Sequence, residues 1–380
     1  DQSGAVSVLY ELGGLIAICD AGGCTGNVCG FDEPRWFEQK SALFSAGLRD
    51  MDAILGRDDR LVEKLVDAAS KLDVKFVAII GTPVPAVIGT DYKALGRMCE
   101  KRLNMPVITI DTDGMELYDV GEEKAWLELF GTFAEKGKPN LDIEKKRGKI
   151  GVLGLTPQDI SDLRAPKKIR EYYQEKEGKE AICYCMGENV CRSTYGLDNH
   201  RTAGEVEKNI VVSPAALATA KYLEKTFGTP YEVTYPIVEE LVPDMDYRGK
   251  KILIVHQQVI GNAMRAEIRR RCQKVNGDPS VDNNAVITVA SWFMMKQELS
   301  EEGDISLREE DDYMELVREE DYDIVFADPM MKRMTEDAYK MAGTGYAADA
   351  YETERKRIFI DATHFAVSGK LREEMKKREA

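Results

Sequence analysis

The feature that most restricts the fold of this chain is a repeated alternation. Short Val/Ile-rich runs are each followed by an amphipathic stretch of helical period. Ten runs read as strands, at 15–18, 76–80, 107–110, 150–153, 181–184, 210–212, 252–255, 285–289, 324–326 and 358–360. Stretches such as 60–72, 216–226 and 331–341 read as helices between them. Short Val/Ile-rich strands separated by helices are the pattern of parallel sheets built from βαβ units. Ten strands exceed one sheet. Charge-rich breaks at 136–149 and 243–251 divide the chain into three expected doubly wound units, 1–143, 144–247 and 248–380.

Composition narrows the function. A net charge of −15 disfavours nucleic acid and anionic membrane as partners. No run approaches the ~18 apolar residues of a membrane helix. The opening Asp1-Gln-Ser-Gly shows no signal peptide and reads as a trimmed start. Eight cysteines in such a chain indicate reduced thiols in a cytoplasmic protein rather than a disulfide framework. The acidic stretch 298–321 reads as a solvated face or, alternatively, a docking surface for a basic partner. Cys99 and Cys272 fall in helical patterns and read as buried structural thiols.

In open α/β sheets ligands bind beyond the carboxyl ends of the strands, so the residues there are the candidates. They include Asp20, Cys185, Ser213, His256 and the Thr363-His364 pair, with Cys191 close behind Cys185. Two of the three histidines, His256 and His364, fall at such ends, either as site lining or as structural residues. The first strand empties into a glycine-rich turn holding Cys19, Cys24 and Cys29, five residues apart, where thiols could ligate a metal or an iron–sulfur cluster. That spacing matches neither a C-x2-C zinc pair nor a ferredoxin pattern. Cys183 and Cys185 alternate along one strand and share a face, either buried or in ligand contact. P-loop, dinucleotide, zinc-protease and nucleophile-elbow motifs are all absent.

Several segments, in order, resemble nitrogenase component 1 proteins. Ala17-Ile-Cys-Asp-Ala-Gly-Gly-Cys24, preceded by the small-residue opening Ser3-Gly-Ala-Val-Ser-Val-Leu-Tyr10, is similar to their H-G-x-x-G-C loop. Gly81-Thr-Pro-Val-Pro-Ala-Val-Ile-Gly-Thr-Asp91 resembles their S-T-C-P-x-x-x-I-G-D-D turn. Asn209-Ile-Val-Val-Ser-Pro214 and Ala220-Lys-Tyr-Leu-Glu-Lys-Thr-Phe-Gly-Thr-Pro-Tyr231 resemble the second-domain helix and its exit. Asp321-Tyr-Asp-Ile-Val-Phe-Ala-Asp328 and Phe359-Ile-Asp-Ala-Thr-His-Phe-Ala-Val-Ser-Gly369 resemble a third-domain strand and the late histidine segment.

The resemblance implies three Rossmann-like domains with parallel sheets around a central cavity, in a homodimer or a paralogous heterodimer. It implies an iron–sulfur cluster near the first domain at the subunit interface, fed by a separate ATP-dependent iron–sulfur reductase. Carried over by position, Cys24 matches the cluster cysteine of the loop. Asp20 replaces the loop histidine, Pro83 stands about where a second cluster cysteine is expected, and Asp1 stands near the first. Ser213 lies near the family's cofactor cysteine and His364 near its cofactor histidine. The implied cluster is a [4Fe–4S] site built from Cys24 of two chains with Cys19 or Cys29. On this reading Cys185, Cys191, His256 and His364 line the substrate cavity, with the histidines as proton donors of near-neutral pKa. Arg35 and Trp36 either hold an anionic or planar small-molecule substrate or serve packing and docking. Three functions remain open: a nitrogenase-like reductase, a non-enzymatic scaffold for metallocluster or cofactor assembly, and a metal-free small-molecule binder.

Overall fold

The computed structural model describes residues 1–56, 58–134, 147–186, 196–274, 284–341 and 357–368. It contains three parallel sheets flanked by helices, an α/β architecture. The first sheet holds β1 (Leu15–Ile18), β2 (Ala42–Ser45), β3 (Val77–Ile80) and β4 (Val107–Ile110) in the order β2-β1-β3-β4. The second holds β5 (Lys149–Leu153), β6 (Glu180–Cys183), β7 (Lys208–Val211) and β8 (Tyr231–Val233) in the order β6-β5-β7-β8. The third holds β9 (Lys251–Val255), β10 (Val286–Ser291), β11 (Ile305–Ser306), β12 (Ile324–Ala327) and β13 (Ile358–Asp361) in the order β11-β10-β9-β12-β13.

Burial follows position in the sheet. The central strands β1, β3 and β12 are buried at every residue, as strands covered on both faces must be. All ten expected strands form. The three not expected, β2, β8 and β11, are edge strands, short or interrupted by polar residues, with no continuous apolar run to reveal them.

The described chain clusters into two compact units. One comprises Asp1–Val211 with Ala215–Val233 and carries the first two sheets; the other comprises Val212–Pro214 with Thr234–Ala380 and carries the third. The expected break at residue 143 lies outside the described residues. In the first unit the helix Gln2–Leu9 crosses Tyr118–Phe133 at backbone contact. A Cβ on Gly4 would stand 1.8 Å from the Tyr118 carbonyl oxygen, and one on Gly121 1.8 Å from that of Asp1. Only glycine permits that approach. Among the described residues no helix is long and apolar enough to cross a membrane.

Candidate functional site

The third sheet reverses its strand order between β9 and β12, because β10 and β11 extend one way from β9 and β12 and β13 the other. Such a switch point leaves a crevice at the strands' carboxyl ends. A cavity of about 270 Å³ opens there, just under the ~300 Å³ at which the range of drug-sized ligand sites begins. His256 follows β9, Phe293 follows β10, Asp328 follows β12 and His364 follows β13, and all four line it.

His256 is buried. Its Nδ1 accepts a hydrogen bond of 2.8 Å from the Gln257 backbone N–H, so the ring proton sits on Nε2, which faces the Thr363 carbonyl at 3.3 Å. Burial drives its pKa down to about 4. The expectation of a near-neutral donor therefore does not hold for His256, because its ring is desolvated and both nitrogens are engaged. The His364 ring stacks on it with centroids 4.8 Å apart and 7° between planes. Phe365 stacks on the His364 ring at 4.3 Å, and Phe293 meets the same ring edge-on at 4.9 Å. Asp328 sets the backbone around them: Oδ2 accepts from the His364 N–H at 3.2 Å and Oδ1 from the Met330 N–H at 3.1 Å.

Gln257 ties this edge together. Its Oε1 accepts from the Val259 N–H at 2.7 Å at the start of the helix that follows β9, and its Nε2 donates to the Val212 carbonyl at 2.6 Å. Ser213, next to Val212, is fully buried. Trp292, Phe293, Phe365 and Met330 line the cavity too, and no sequence motif points to them. β10 runs two residues past its expected end, to Ser291, so the residues beyond its tip are Trp292 and Phe293.

The cysteine segment lies in the first unit. Cys19 directly follows β1 and faces inward, packed in a core with Leu61, Leu65, Tyr92, Leu95 and Cys99, and burial pushes its thiol up to about 12. Cys24 and Cys29 are half-buried, with thiols raised first by partial burial. The structure does not bring Cys19 together with them, and among the described residues no three His, Cys, Asp or Glu side chains form a metal-holding group. Asp20 holds the segment in shape by accepting from the Thr25 N–H at 2.8 Å, Thr25 Oγ1 at 3.0 Å and Ser45 Oγ at 2.6 Å. Pro83 opens the short helix Pro83–Val87, and the Asp1 carboxylate accepts from the Asp113 and Gly114 N–H groups.

Cys185 also belongs to the first unit, buried with its Sγ 4.0 Å from His200 Nε2. Burial raises the thiol well above its usual range and lowers His200 to about 3, so the pair is neutral rather than thiolate–imidazolium. Cys191 lies outside the described residues. Arg35 is buried, which overturns a substrate-holding role. Its Nε and Nη2 grip Glu33 at 2.7 and 2.6 Å, Nη1 donates to Glu11 at 3.1 Å, and Nη2 donates to the Ser7 carbonyl at 2.8 Å. Its charge is spent on internal carboxylates. Trp36 is half-buried, with Lys40 Nζ 5.6 Å over its ring.

An all-parallel α/β protein with a small-molecule-sized cavity at a switch point defines a broad class of ligand-handling proteins. The chain belongs to the nitrogenase component 1 type oxidoreductase family, whose model matches residues 3–238. It is similar to the nitrogenase iron-molybdenum cofactor biosynthesis protein NifE of Bradyrhizobium diazoefficiens, 23% identical over 194 residues, or 50% of this chain and 32% of that protein. It is also similar to NifE of Clostridium pasteurianum, 26% identical over 200 residues, or 52% of this chain and 40% of that protein. The matched segments thus span well under half of either relative. A solved structure of nitrogenase Cp1 at pH 6.5 superposes with a TM-score of 0.63 at 14% identity, covering 99% of this chain and 90% of that one. Another at pH 5 gives 0.61 at 13%, covering 91% and 88%. These superpositions show a shared fold.

Proposed function

We propose that the chain is a component of a nitrogenase-like oxidoreductase that holds a small-molecule substrate at the third sheet and receives electrons through a metal–sulfur cluster at the Cys24 segment. The observation that carries this reading is the cavity beside the stacked His256 and His364. It is of substrate size, at the edge where parallel sheets bind ligands. His256 keeps a fixed tautomer and braces the His364 ring, and His364, in the cavity wall, is the candidate to pass a proton to a bound substrate.

The family binds metal–sulfur clusters, so the thiols can be tested for fit. A [4Fe–4S] cluster takes about four cysteine ligands. One chain offers Cys24 and Cys29 at the surface of its loop, with Cys19 turned into the core. Two copies, or this chain with a paralogous partner, would complete a set of four. Gly23, Gly26 and Gly30 fit such an approach, since a Cβ on any of them would meet nothing within 4 Å. The chain's own packing does not require glycine there. When bound, the cluster would supply single electrons; the chain's part is to present the thiols on a segment that Asp20 keeps in shape. Delivery from a separate ATP-dependent iron–sulfur reductase, in the reducing cytoplasm, completes the reading.

A second reading, a scaffold for cofactor assembly, is favoured by the names of the two NifE relatives. The measurement that separates them is substrate-dependent ATP hydrolysis and product formation with the cognate reductase. Turnover that falls at least tenfold in His364→Ala supports the reductase. Absence of turnover, with transfer of a bound metallocluster to an acceptor protein, favours the scaffold.

A further inference from the structure

The cavity at the third sheet has a chemistry poorly matched to a metal–sulfur guest. Among the described residues no cysteine lines it. His256, one of its two imidazoles, has both ring nitrogens engaged by the backbone. Among the described residues its acidic groups, Glu309, Glu310 and Asp328, outnumber the guanidinium of Arg308. The helix Glu310–Glu320 starts at the rim, and Asp312 in its first turn accepts from the Arg308 and Glu309 N–H groups at 2.7 and 3.1 Å. Glu309 and Asp312 form a capping box across that end, and Asp311 adds further negative charge to its first turn.

The remaining wall is aromatic. Phe293 stands nearly perpendicular to Phe365, at 87° with centroids 5.5 Å apart, and at 63° to His364. Trp292 completes the lining on the β10 side, its Nε1 donating to the Glu309 carbonyl at 3.1 Å. Aromatic rings in the wall, with carboxylates at the rim, favour a cation over a neutral molecule of the same shape, and both over an anion.

We propose that this cavity is an aromatic cage with an acidic rim that takes the cationic head of an organic amine or quaternary ammonium compound. The proposal rests on the reading of this cavity as the guest site and names the class of guest. The cation would lie against Phe293 and Trp292, with Glu310 facing its charge. No covalent step is involved.

Isothermal titration of the full-length chain with benzylammonium, benzyl alcohol and benzoate varies charge at nearly constant shape. Benzylammonium is expected to bind about tenfold tighter than benzyl alcohol, with benzoate weakest. Glu310→Gln, at an exposed position, should weaken benzylammonium about threefold and leave benzyl alcohol unchanged. Phe293→Leu, at a half-buried position, should reduce the preference for the cation. Benzoate binding as tightly as benzylammonium, no measurable binding of any probe, or a preference unchanged in both variants would overturn the proposal. The titration uses neither cluster nor reductase. A reversed charge order would refute the guest class while leaving the electron-transfer reading standing, and a chain without turnover could still show the expected order.

Discussion

The imidazoles of His256 and His364 lie 4.8 Å apart and within 7° of parallel, one following β9 and the other β13. Two residues more than a hundred positions apart in sequence thus form one aromatic unit, joined further by the bond between His256 Nε2 and the carbonyl of Thr363. Because the His256 ring is locked by backbone groups, it forms a fixed support against which the His364 ring packs.

The stack predicts a difference between two substitutions. His364→Phe retains a planar ring against His256 and should unfold within about 1 kcal/mol of the parent. His364→Ala loses three ring contacts and should cost about 2–3 kcal/mol. Both should lose proton-dependent turnover. Urea unfolding of each variant, set beside its activity, checks the separation.

Acid sensitivity follows from His256. Its folded pKa of about 4 lies below the ordinary histidine value of 6.5, so the unfolded chain binds the proton more readily. Its contribution is fully present above about pH 6.5 and is lost as pH falls through about 4. His200, lowered to about 3, acts in the same direction in the first unit. Unfolding free energy measured from pH 7 to 4 should fall, and His256→Gln should flatten that limb.

The buried carboxyl of Glu122 predicts the opposite dependence. It accepts from Thr156 Oγ1 at 2.6 Å, and burial followed by the neighbouring Asp159 raises its pKa well above the usual range. A raised pKa gives a contribution fully present below the unfolded value and lost as pH rises toward the folded one. Glu122→Gln keeps a hydrogen-bonding side chain without the ionisation. It should melt higher than the parent at pH 8 and no higher at pH 4.5, as calorimetry would show.

Gly26 and Gly4 should respond in opposite ways to alanine. Gly26 sits in a helical turn with open space around its absent Cβ, so Gly26→Ala should raise the stability of the isolated chain by about 0.5–1 kcal/mol. Under the proposed function it should also impair cluster retention or subunit pairing. Gly4→Ala would drive a Cβ into the Tyr118 carbonyl and should cost well over 2 kcal/mol. Thermal melts and analytical ultracentrifugation of both variants distinguish the two effects.

Much of this architecture is legible in the chain, because strands buried on both faces are written as unbroken apolar runs such as Leu15–Ile18 and Ile324–Ala327. Edge strands such as Tyr231–Val233 escape because one side needs no apolar cover. Strand-end accounting reaches His256 and His364, whose positions depend on where a strand stops. It misses Phe293 because β10 continues through Ala290 and Ser291, past its last branched residue. Spacing groups Cys19 with Cys24 and Cys29, but Cys19 comes directly after β1, before the chain turns outward, so its side chain joins the core. Arg35 sits beside the loop in sequence, and only the fold reveals that Glu33 and Glu11 neutralise it.

The most direct test of the proposed electron path is the iron and sulfide content of anaerobically reconstituted protein, read with its EPR spectrum, for the parent, Cys24→Ser and Cys29→Ser. A [4Fe–4S] cluster shared by two copies predicts about two irons per chain. It also predicts a reduced-cluster EPR signal and loss of both in either variant, with Cys19→Ser retaining them. A colourless, iron-free parent, or a cluster that survives in both variants, would contradict the account.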